Sequence, residues 1–142
     1  MKIQFSKAQK KLAILWFISS GIILAIMIFF SSQHDKFSPK DNEAWGWIFS
    51  SILPTLSLII TIFVMDVNNR TPSRRGVDRF YFRLVFSISL FYFLVILWVL
   101  LADNPEPGIV VRMERSNMYL GPLQGLVAAT IGIFFIKRDT NG

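Results

Sequence analysis

Four long blocks without a single charged side chain constrain this chain more than any other feature: Leu12 to Phe30, about Trp45 to Met65, Leu84 to Ala102, and about Met118 to Ile136. Each approaches the roughly 20 residues that an α-helix, rising about 1.5 Å per residue, needs to cross a hydrocarbon core about 30 Å thick. A water-facing helix would carry its apolar residues at i, i+3, i+4 and i+7, whereas here every face is apolar. Barrel strands would be about ten residues long and alternate in polarity, and no segment does so. The expected fold is an all-α membrane protein, a four-helix transmembrane bundle forming one domain over residues 1–142. Its helices are placed at about 12–30, 45–65, 80–102 and 118–136, with outer loops at 31–44 and 103–117 and a basic loop at 66–79. Short connections make sequential helices antiparallel neighbours.

Composition agrees: 53% of the 142 residues are hydrophobic, more than a soluble fold of this length has room to bury. Leu12 to Phe30 is long for the apolar region of a signal peptide. Phe29-Phe30-Ser31-Ser32-Gln33 lacks a small-x-small cleavage site, so the first helix is expected to remain in place. Cysteine is absent, which excludes disulfides and thiolate chemistry.

The formal charge of +6 suggests nucleic acid until the charges are placed on the segments. Lys2, Lys7, Lys10 and Lys11 precede the first helix, Arg70, Arg74, Arg75, Arg79 and Arg83 lie between the second and third, and Lys137 and Arg138 follow the fourth. The other loops balance Lys36 and Lys40 against Asp35, Asp41 and Glu43, and Arg112 and Arg115 against Asp103, Glu106 and Glu114. Eleven of the 15 basic residues therefore share one side, which the positive-inside rule assigns to the cytoplasm along with both termini. Trp45, Trp47, Trp98 and Tyr119 at the outer ends, with Phe80, Tyr81 and Phe82 at the inner boundary, fit an interfacial belt, and Trp16 does not. The arginines are expected to set orientation and to meet lipid headgroups or a cytoplasmic protein partner. No nucleic-acid partner is expected, because no recognition fold accompanies the charges.

Helices two and four carry stripes of small or weakly polar residues. Ser50, Pro54, Ser57 and Thr61 recur on one face of helix two, and Gly121, Gly125, Ala128 and Gly132 on one face of helix four. In lipid, where the hydrophobic drive between helices is lost, small residues let backbones approach. The glycine stripe is thus expected at a helix contact, either within the chain or between copies. Pro54 removes a backbone hydrogen bond, predicting a kink with Ser50 or Ser51 available to the freed carbonyl. Gln124 needs a partner, either a Ser or Thr of helix two or another copy. Around an axis, Ser50, Ser57, Thr61, Gln124 and Thr130 would make an uncharged polar path.

Asp, Glu, Lys, Arg and His are missing from the hydrocarbon zone, where ion-coupled transporters keep the group that changes charge. In length and helix count the chain is similar to the small multidrug transporters, but it lacks their membrane-buried glutamate in helix one, so their mechanism does not carry over. His34 beside Asp35 offers too few ligands for zinc. Phosphate loops and dinucleotide fingerprints are absent. No enzyme activity, metal or cofactor is expected. Ile3, Phe5, Ala8 and Leu12, flanked by lysines, suggest an interfacial helix over 1–11. The β-branched run after Gly108 suggests a short extended segment over 108–113.

The expected protein is a small homo-oligomer of a cell membrane, by its compactness a bacterial inner membrane. A pore or membrane-permeabilising channel is one expectation, supported by the polar stripes. A non-catalytic anchor or regulatory subunit that recruits a cytoplasmic partner is the second, and a carrier for lipid or apolar solutes the third.

Overall fold

A computed structural model describes residues 2–33, 37, 39–68, 76–102 and 108–136. The elements in order are β1 (Lys2–Gln4), α1 (Phe5–Gln33), α2 (Asp41–Asn68), β2 (Gly76–Asp78), α3 (Arg79–Leu101) and α4 (Ile109–Ile136). The helical architecture is as expected, and α1, α2 and α3 each hold a stretch long and apolar enough to cross a membrane: Lys7–Ser32, Asp41–Val64 and Arg79–Leu101. Among the described residues α4 holds no such stretch, its side chains being described as far as Ile133.

Packing contacts order the helices around the bundle as α1, α2, α4, α3, so α2 and α3, consecutive in sequence, lie diagonally and not side by side as expected. Trp47 meets Ser116 and Ser51 meets Gln124, so α2 and α4 run in the same direction. Each helix contributes an inward stripe: Leu12, Trp16, Ile23 and Met27 from α1; Ile48, Ile52 and Ile59 from α2; Val85, Tyr92, Ile96 and Val99 from α3; and Met113, Leu120, Val127 and Ile131 from α4. Trp16 packs edge-on to Phe93 at 4.5 Å between ring centroids and stacks on Tyr92 at 6.0 Å. The outward faces are equally apolar, with Phe17, Ile18, Ile28, Leu53, Ile60, Phe91, Leu94 and Ile133 exposed. Apolar residues on both faces are what a helix flanked by lipid requires.

Several local expectations are corrected. Lys2–Gln4 is a strand rather than the start of an interfacial helix; it pairs antiparallel with β2, Lys2 opposite Asp78 and Gln4 opposite Gly76. That ladder gathers the N-terminal segment and the α2–α3 connection at one end of the bundle. The extended segment expected over 108–113 is helical, and helix four begins at Ile109 instead of 118. Gly108 turns the chain at φ +86° and its carbonyl accepts the Arg112 N–H. Burial of Val110 and Met113 then outweighs the β-preference of the run. Trp47 and Phe82, assigned above to the interfacial belt, are buried, as is Trp16.

The helix ends are closed by side chains. Asp78 Oδ1 accepts the Phe80 N–H at 3.1 Å, capping the start of α3. At its other end, Arg112 of α4 donates from Nε to the Val99 carbonyl at 3.1 Å and from Nη2 to the Ala102 carbonyl at 2.5 Å. A guanidinium there also complements the negative end of the α3 dipole.

Candidate functional site

The polar residues of α2 divide between two faces. Ser50, Pro54, Ser57 and Thr61 look outward and are exposed, whereas Ser51 and Thr55, one position on, are buried. The seam between α2 and α4 is where the two sets meet.

Pro54 has no N–H to offer the Ser50 carbonyl four residues before it, so that acceptor is left over inside an apolar segment. Gln124 of α4 supplies the donor: its Nε2 lies 2.9 Å from the Ser50 carbonyl and 3.1 Å from that of Ser51. From the other side, the Tyr92 hydroxyl of α3 donates to the Ser51 carbonyl at 2.7 Å. Three helices are thus tied at the turn that the proline disrupts. The Ser50 and Ser51 hydroxyls do not serve the freed carbonyl, as the sequence led us to expect; both donate to the Trp47 carbonyl at 2.8 Å. Gln124 thus meets serines of helix two, as expected for it, through their backbone carbonyls.

Above this turn, Trp47 Nε1 donates to Ser116 Oγ at 2.9 Å, and the Ser116 hydroxyl donates in turn to the Met113 carbonyl at 2.6 Å. Trp16 Nε1, Ser20 Oγ, Thr55 Oγ1 and Ser89 Oγ are buried without a hydrogen-bond partner among the described residues. Buried polar atoms of this kind carry a desolvation cost of about 1–3 kcal/mol each. Thr55 lies one helical turn beyond Ser51, and Ser89 one turn before Tyr92.

The glycine stripe lies elsewhere than the α2–α4 contact. A Cβ placed on Gly121, Gly125 or Gly132 would meet no atom of the other described elements within 4 Å, and Gly121 and Gly125 are exposed. Ala128 and Gly132 are half-buried. Among the polar-path candidates, Thr61 donates to the Ser57 carbonyl at 2.8 Å and Thr130 to the Val127 carbonyl at 2.9 Å. Their hydroxyl protons, like that of Ser50, are turned onto the helix backbone, which leaves oxygen lone pairs outward. Arg79 is half-buried and Arg83 exposed at the start of α3, while Arg70, Arg74 and Arg75 lie outside the described residues, as does His34.

Sequence reasoning singled out Pro54 and Gln124 but missed Tyr92, Ser116 and Arg112. Ser51 and Thr55, four apart, offered a second stripe on α2 that could have been read; for Tyr92, one aromatic among many in α3, there was no signal. No protein family, curated protein or solved structure matches the chain.

Proposed function

We propose that this chain is a four-crossing protein of a cell membrane, with both ends cytoplasmic, that assembles with copies of itself through the outer face of α2 and α4 into a pore with uncharged walls. The observation that carries this is the open glycine stripe: Gly121, Gly125 and Gly132 have no neighbour among the described residues where a side chain would stand. Small residues in lipid serve close backbone approach, and a second copy is the partner that would use it. Ser50, Ser57 and Thr61 are exposed on the adjoining helix. With the Ser50 and Thr61 hydroxyls donating to their own helix backbone, an assembled wall would present oxygen lone pairs and favour cations weakly. The uncharged run from Met118 to Ile136 supports a fourth crossing, and the placement of the basic residues supports the orientation.

Two measurements test this. Cross-linking in native membranes should trap an oligomer of wild-type protein, and Gly125→Leu should disperse it while the helical content is retained. Purified wild-type protein in planar bilayers should give discrete currents with a reversal potential shifted modestly toward cation selectivity. Silence under all voltages and lipid compositions removes the pore; a Gly125→Leu oligomer of unchanged size removes the interface.

A further inference from the structure

The end of the bundle tied by the β1–β2 ladder carries a feature that the α2–α4 face does not explain. Because β1 leads directly into α1 and its partner β2 into α3, both helices start from the same end. Their sequences then repeat one pattern. Lys7, Lys11, Ile14 and Ile18 stand at spacings of four, three and four on α1, and Arg79, Arg83, Phe86 and Leu90 at the same spacings on α3. Such spacing holds four residues on one helical face, basic for the first turn and apolar for the next two.

Between the helices lies an open groove of about 360 Å³, lined by Lys11, Ile14, Leu15, Ile18, Ser19 and Phe86. Apart from Lys11 and Ser19 its walls are hydrocarbon, and Lys11 stands at the end nearest the ladder. Arg83, exposed, lies one turn before Phe86 on the facing helix. Among the described residues neither Lys11 nor Arg83 forms an ion pair, and the carboxylate of Asp78 is engaged by the Phe80 N–H.

We propose that this groove binds an anionic phospholipid, its phosphate held between Lys11 and Arg83 and one acyl chain laid along Ile14, Ile18 and Phe86. A groove that is cationic at one end and apolar beyond matches the polarity of such a lipid along its own length. A soluble anion would leave the apolar walls unused, and a zwitterionic lipid would bring a cation to the two basic groups.

The test is a titration of detergent-solubilised protein with phosphatidylglycerol and with phosphatidylcholine of the same chains, read by native mass spectrometry. Wild type should hold phosphatidylglycerol about thirtyfold more tightly. The double variant K11Q/R83Q should lose about thirtyfold in that affinity, which corresponds to about 1 kcal/mol for each charge removed, with phosphatidylcholine binding unchanged. K11R/R83K should retain the preference, and R115Q, which removes one charge on α4, should behave as wild type. Equal affinity for the two lipids overturns the proposal, as does an equal loss in R115Q. Displacement of the lipid by free glycerol phosphate at similar concentration would also overturn it, since the groove would then contribute nothing.

Discussion

Pro54 and Gln124 are 70 residues apart in sequence, yet the second answers a need created by the first. The carbonyl of Ser50 has lost its helical donor, and the amide of Gln124 is the group that reaches it at 2.9 Å. Replacing Gln124 by Leu should therefore lower stability by about 1 kcal/mol in detergent unfolding, the scale of an interhelical hydrogen bond in a membrane protein. In a Pro54→Ala background the backbone N–H returns, and the same replacement should cost less than half as much. An identical cost in both backgrounds would show that the pair is not coupled. Both residues stood out in the sequence because each is unusual in an apolar helix. Their connection did not, because the acceptor is a backbone carbonyl, and every residue has one. Trp47 was misread for a related reason: an indole suits an interface and a core alike, and only Ser116 on a distant helix decides between them.

At the level of elements, the cores of the four helices were legible because apolar runs of that length have few alternatives, while their ends were not. The start of α4 depends on Gly108 adopting φ +86° and on Val110 and Met113 finding the core, both matters of tertiary contact. Arg112 is the most consequential residue of those extra turns, since its guanidinium meets the Val99 and Ala102 carbonyls that the end of α3 leaves open. Arg112→Gln should raise amide exchange in the last turn of α3 about tenfold, the equivalent of about 1.4 kcal/mol, within the range for hydrogen bonds to charged groups. Exchange that stays at the wild-type rate would mean the cap contributes nothing to that helix end. The glycine stripe shows the complementary difficulty. Its spacing announced a contact surface, but spacing carries no information on whether the opposing backbone belongs to the same molecule.

For the whole molecule, the pairing of β1 with β2 bears directly on orientation. Segments joined by a strand ladder cannot lie on opposite sides of a bilayer, so the first and third helices must enter from the same face. The absence of cysteine makes this simple to examine. Single cysteines at Lys7 and Arg79 should be reached by an impermeant thiol reagent from one side, and a cysteine at Met118, which is almost fully exposed near the other end, from the opposite side. Labelling of Lys7→Cys and Arg79→Cys from different sides would break the ladder and the orientation together. Charge placement alone had already grouped these segments, because lysine and arginine resist translocation; a three-residue ladder with few distinctive side chains was beyond its reach.

The same ladder dictates an order of events during synthesis. Lys2 leaves the ribosome long before Asp78, its partner, so the first strand must wait, unmatched, while a helical hairpin is threaded into the bilayer and returned. Closure of that loop is the earliest moment at which the third helix can be seated beside the first, and a chain halted before residue 76 would leave its leading strand without a mate.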